Sequence, residues 1–148
     1  MNVENQYVKL NVEKYGGMLC APWFDRPLSV AGRIIVKDGN RLTTKLINVD
    51  RDLLMIPNLA IHMNREVNDG YKYNIQKDML PLYRMSNSGK AFKEMIAEEA
   101  GVSVDQIKGM DLFLYNRMEG TIWGCDGEFI SAPRLDDLQC AFTSTMAL

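Results

Sequence analysis

The 148 residues amount to one domain's worth of chain, and 47% hydrophobic with 24% charged content excludes a disordered or low-complexity segment and predicts a single real core. A net charge of −2, with the 17 basic residues scattered, argues against a nucleic-acid partner, because phosphate binding draws on clustered Lys and Arg. No apolar run approaches the ~20 residues that span a bilayer, and MNVENQYVKL lacks the pattern of a secretory leader, so no membrane partner and a cytoplasmic location are expected.

In YVKLNV, Val8, Leu10 and Val12 alternate onto one face, which predicts a half-buried strand over residues 7–12, ended by a turn at Gly16-Gly17. A second short strand is expected over 18–23, limited by the proline in WFDRPL. The clearest element is the hairpin SVAGRIIVKDGNRLTTKLINV. Its Asp38-Gly39 pair suits the positive φ angles of a tight turn between two runs rich in Val, Ile, Leu and Thr. In IPNLAIHMNREVN neither alternation nor a helical stripe is clean, and a short helix capped by Asn58 is expected. Residues 69–87 read as loop and short extended pieces.

SNSGKAFKEMIAEEAG is a helix by the spacing of Phe92, Met95, Ile96 and Ala100, with Gly101 placed for a left-handed C-cap. Ser103 and Gln106 form a capping box for a brief turn of helix after it. Strands follow at 110–116, 119–124 and 128–132, and 138–148 is again helical in pattern. The fold class expected is mainly β with peripheral helices (α+β), in a barrel or roll.

Chemistry-bearing residues are few. Cys20, Cys125 and Cys140 show no paired spacing of the metal or redox type and are expected to be free, half-buried thiols in a reducing compartment. Glu98 and Glu99 fall on the polar side of an amphipathic helix, which makes them a solvated face rather than a catalytic pair. His62 is the one histidine. Such a residue is most often structural or simply exposed, and its functional alternative is to carry a proton or stabilise an anion. Asp136 and Asp137 in PRLDDL suit a helix N-terminus, where the macrodipole favours negative charge. Alternatively, one of these carboxylates bridges two divalent ions about 3.5–4 Å apart, as in two-metal hydrolytic sites.

Taken together and in order, VKLNVEKYGG, WFDRPLSVAGR, IPNLAIHMNREVN, QKDMLPL and SAPRLDDLQCAF resemble the aspartyl aminopeptidase and vacuolar aminopeptidase I family of dinuclear zinc metallopeptidases. The resemblance covers nearly the whole chain. It implies that residues 5–130 are a lid and dimerisation domain, a six-stranded barrel with added helices, inserted into a catalytic domain. On the same resemblance 131–148 begin the returning catalytic segment, and the chain is expected to be cut there. Asp136 then falls on the aspartate that bridges both zinc ions, while Asp137 stands where the family usually has Asn. A cis peptide bond after Asp136 is implied, expected to relax to trans without the metals.

The resemblance also matches His62 to a histidine that reaches into a neighbouring subunit's active site and stabilises substrate or the developing oxyanion. The partners implied are further copies of the chain, as a homo-oligomer, and peptide substrates of the full enzyme. The family's upstream His-x-Asp motif, its Glu-Glu-Val-Gly segment and its C-terminal histidine ligand have no counterpart here, so the isolated chain is expected to hold little zinc and no activity. The rival expectation is a stand-alone β-barrel that binds a partner protein through an apolar patch.

Overall fold

The computed structural model describes residues 2–4 and 6–148, with side chains from Gln6 onward. Its centre is an antiparallel sheet of three strands in the order β4-β3-β6: β3 (Leu28–Asp38), β4 (Arg41–Asn48) and β6 (Ile107–Asn116). The long middle strand follows directly from its residues, because Leu28, Val30, Ile34 and Val36 alternate onto one face and are all buried. Gly32 occupies the remaining place in that row. A Cβ there would collide with the Asp111 carbonyl oxygen, so glycine is what lets β6 pair closely with β3.

The β3–β4 hairpin is the one expected, with its turn one residue further along. Asp38 pairs with Arg41, so Gly39 and Asn40 form the two-residue loop, and of the two only Gly39 takes a positive φ, at 57°. A glycine in the first central place is what a II′ turn requires.

A second antiparallel sheet has the order β1-β2-β5: β1 (Asn2–Glu4), β2 (Tyr7–Lys9) and β5 (Leu82–Met85). Residues 54–56 stitch the two sheets together through single bridges from Leu54 to Leu28 and from Met55 to Leu82. Neither sheet closes on itself among the described residues, so the expected mainly β class holds while the described strands form an open arrangement rather than a closed barrel. The third sheet is the hairpin β7 (Thr121–Trp123) with β8 (Phe129–Ser131), where Trp123 stacks on Phe129 at 4.7 Å and donates its indole N–H to Ser131 Oγ.

Helices decorate the sheets. α1 (Ile75–Asp78) lies where only loop was expected, with the Asn74 side chain accepting from the Gln76 N–H. α2 (Phe92–Ala100) ends on Gly101 at φ 63°, and its buried Met95, Ile96 and Ala97 pack against Ile34, Val36, Ile47 and Ile107. The Ser103 backbone N–H donates to Gln106 Oε1 at 2.9 Å, which realises the capping box. α3 (Leu135–Met146) is regular only after Asp137. The strand expected over 18–23 is absent; Pro22 instead lies in a 3-10 turn, Ala21–Trp23.

A second core cluster joins Leu10, Phe24, Leu28, Val30, Leu54, Ile56 and Met79. Both clusters use one face of β3, with Leu53, Tyr83, Phe92 and Leu112 packing against each. At about 1.5–3 kcal/mol for each fully buried Leu or Ile, this shared face carries the stability of the sheet region. Every residue from Met118 to Leu148 is exposed.

Candidate functional site

His62 sits on an exposed turn between Ile56 and Tyr71. The Ala60 carbonyl accepts from Met63 N–H at 2.8 Å and from Asn64 N–H at 3.2 Å, which closes one helical turn around the histidine. The helix expected here does not form. Its intended cap, Asn58, is engaged elsewhere: its backbone N–H donates to Asp25 Oδ1 and its side-chain amide to Asp25 Oδ2, both at 2.9 Å. Among the described residues no backbone N–H donates to the Asn58 side-chain oxygen, which is the atom a cap would use.

Asp25 is held for this purpose by its backbone. It adopts φ 56°, a conformation Asp tolerates better than most residues, and its N–H donates to the Ile56 carbonyl at 2.9 Å. The two N–H groups of Asn58, backbone first and side chain second, hold the Asp25 carboxyl below the ordinary aspartate value of 3.8. The returning end of the loop is anchored one residue away, where Tyr73 stacks on the buried Phe24 at 4.9 Å. Among the described residues the His62 imidazole has no hydrogen bond and no ion pair. Its neighbours Leu59, Ile61 and Met63 are also exposed, by 60%, 46% and 76%.

Asp136 is at the kinked start of α3. Arg134 takes φ 65°, Asp136 and Asp137 both leave helical geometry, and the peptide bond between them is cis, where relaxation to trans was expected. Neither carboxylate caps an amide of α3 among the described residues, so the capping role considered for them is not the one they have. Immediately before Asp136, Pro133, Arg134 and Leu135 line an open cleft of about 820 Å³ with Trp23, Arg26 and Tyr115.

His62 and Asp136 are not brought into one site by any bond within the chain. Among the described residues no group of three His, Cys, Asp or Glu side chains is placed to hold a metal ion, and one carboxylate cannot fix a zinc that takes about four ligands. The residues present therefore do not fit zinc by themselves. Glu98 and Glu99 have the solvated role expected of them, pairing with Lys90 at 2.5 Å and Arg51 at 3.3 Å. Cys20, Cys125 and Cys140 are free; the last two are exposed rather than half-buried, since the elements bearing them contribute nothing to the core.

Two polar assemblies were missed at the level of sequence. One is the Asp25–Asn58 clamp, whose only signal was an Asp beside a proline-bearing turn. The other centres on Arg117, which donates to Asp50 at 2.7 Å, Asp52 at 2.8 Å and Tyr115 at 3.0 Å, while the Tyr115 hydroxyl donates to the Val49 carbonyl. It fastens the end of β6 to the 49–52 segment just before the exposed region begins. The charges were visible, but not their meeting across 65 residues of chain.

Comparison with known proteins places these features in a family. The family model for the aminopeptidase I zinc metalloproteases (M18) matches residues 1–148. A probable M18 family aminopeptidase 2 of Clostridium acetobutylicum is 49% identical over 98% of the chain, and one of Clostridium novyi is 43% identical over all of it. The chain spans only 35% and 36% of those proteins. Among solved structures, a chain of the Ape4–Nbr1 complex superimposes with a TM-score of 0.88 at 29% identity, over 99% of this chain and 32% of that one. mApe1 of Chaetomium thermophilum gives 0.83 at 34% identity, over 100% and 37%; mApe1 of S. cerevisiae, solved as a dodecamer, gives 0.75 at 25%, over 99% and 33%. With a model matched from end to end and relatives this similar, the chain belongs to the aminopeptidase I zinc metalloprotease (M18) family.

Proposed function

We propose that this chain is the lid and dimerisation part, residues 5–130, of a cytoplasmic zinc aminopeptidase that removes N-terminal residues from peptides, followed by the first stretch, 131–148, of its returning catalytic domain. The two three-stranded sheets stitched by residues 54–56 serve as the barrel-like lid, and copies of the chain associate through it; that a structural neighbour, mApe1 of S. cerevisiae, is a dodecamer supports self-association. The observation that carries the reading is that both site residues, in a chain matched by the family model throughout, are exposed and have no hydrogen-bond or ion-pair partner among the described residues.

Asp136 contributes one carboxylate to a pair of zinc ions whose other ligands come from the rest of the enzyme. His62 reaches a neighbouring subunit, where an imidazole donor stabilises charge on the substrate carbonyl. Supporting the division near the end of the lid, no residue after Arg117 belongs to the buried core, as expected of a surface completed by other parts of the protein. Three free thiols accord with a reducing compartment.

The test uses the full-length protein that carries this segment. His62→Ala is expected to lower kcat about 100-fold, and Asp136→Ala to abolish turnover of an aminoacyl chromogenic substrate with zinc or cobalt present. Mixed oligomers of the two variants should regain activity, because each supplies what the other lacks. Verified mixed assembly without recovery would show that His62 does not act across subunits. The 148-residue chain alone is expected to show no turnover.

A further inference from the structure

Resting on the reading of His62 as a residue that acts in a neighbouring subunit, we infer that Asp25 is its positioning residue: the Asp25 carboxylate sets where the His62 turn is presented. The loop that carries His62 leaves the body of the protein at Asn58 and returns at Tyr73, and both ends are gathered by two consecutive residues of one turn. Asp25 grips the outgoing end through two hydrogen bonds of 2.9 Å to Asn58. Phe24 holds the returning end by stacking on Tyr73 at 4.9 Å.

Between these anchors the loop is tied once more, on its returning side, where the Tyr71 hydroxyl donates to Asp78 at 3.2 Å. Its internal hydrogen bonds close short turns within 60–69, and its apolar side chains Leu59, Ile61 and Met63 are exposed. Local turns determine the shape of the loop tip but not its direction relative to the sheets. Direction is set at the base, and there the carboxylate holds the backbone N–H and the side-chain amide of one residue together. That grip uses both oxygens of Asp25, which restricts rotation as a single hydrogen bond cannot. Phe24 is itself fixed, being buried in the core cluster with Leu28, Leu54 and Ile56 and bridged to Ile56 by its backbone. The position of His62 is thereby referred to the core through a short chain of contacts. A group required to meet a substrate within hydrogen-bond distance depends on such a reference, since a 1 Å misplacement costs up to about 100-fold in rate.

The clamp can be broken, and rebuilt with its two side-chain groups exchanged. In Asp25→Ala both acceptors are lost, and the backbone N–H and side-chain amide of Asn58 are released. In Asn58→Asp two carboxylates face each other. The double variant Asp25→Asn/Asn58→Asp restores both hydrogen bonds: the oxygen of the introduced amide accepts the backbone N–H, and its N–H₂ donates to the introduced carboxylate.

In the full-length protein, each single variant is expected to lower kcat about tenfold with KM little changed, and to speed amide exchange over residues 58–66. The double variant should return both readings to within about threefold of the original. In a His62→Ala background, Asp25→Ala should cost nothing further, because its effect passes through His62.

Unchanged exchange in the single variants, or no rescue in the double, overturns the clamp. If His62→Ala lowers kcat and Asp25→Ala lowers it again by the same factor, the positioning role is overturned while the reading of His62 survives. If His62→Ala leaves kcat intact while exchange follows the clamp, the reading of His62 is what fails.

Discussion

At the scale of single residues, one carboxylate behaves differently from its neighbours because of what donates to it. Asp25 accepts two N–H groups from Asn58, and hydrogen bonds to the charged form depress its proton affinity. The sign follows directly: with a folded value below 3.8, the clamp's stabilisation is fully present above 3.8 and is lost as pH falls through the lower folded value. Acid titration followed by NMR at the Asn58 side-chain amide should therefore show a midpoint below that of an unpaired aspartate. A midpoint at or above 3.8 would mean that the carboxylate does not hold Asn58 in solution. Gly32 makes the contrasting case, where no charge is involved and the residue is required by the close approach of the Asp111 carbonyl oxygen.

At the scale of elements, α2 illustrates how a helical stripe becomes stability. Its polar side carries exposed ion pairs, Lys90 to Glu98 and Arg51 to Glu99, of the kind that contributes little because water screens both partners. Its apolar side places Ile96, with no exposed surface, against the sheet. Ile96→Ala is expected to destabilise the protein by about 3 kcal/mol, the transfer loss plus the cavity left behind, read from urea denaturation. A loss under about 1 kcal/mol would indicate that α2 is not docked as described. The β7–β8 hairpin and α3 lie at the other extreme, each folded locally and neither contributing a buried side chain.

That asymmetry governs the whole molecule. Sheets, α2 and the 54–56 stitch form one packed body, closed at its far end by the Arg117 cluster, and everything beyond is surface. Exposed Ile122, Trp123, Phe129, Ile130, Leu138, Phe142 and Met146 make the 118–148 region apolar without making it core. A chain ending after Met118 should consequently melt within a few degrees of the full 148 residues, because no removed side chain belongs to either buried core cluster. A fall in Tm of about 10 °C or more, which for a domain of this size corresponds to several kcal/mol, would reveal contacts that the packing described here does not contain.

What could be read in the linear sequence was whatever rests on local physics. Period-two burial along β3, the Gly39 turn, the 3.6-residue stripe of α2 with Gly101 after it, and the Ser103–Gln106 box each depend on residues within a few positions of one another. The ordered motifs likewise pointed to the family. Tertiary structure decided the rest, because it depends on which distant groups meet. Asn58 suited a helix cap by its residue type, and only the fold brought Asp25, 33 residues earlier, to accept both of its N–H groups. Residues 18–23 were free to form a strand until the chain turned at Ala21–Trp23. Whether the strands of the two larger sheets close into a barrel or stay open was never encoded in any one of them, since closure is a relation between edges; among the described residues those edges remain apart.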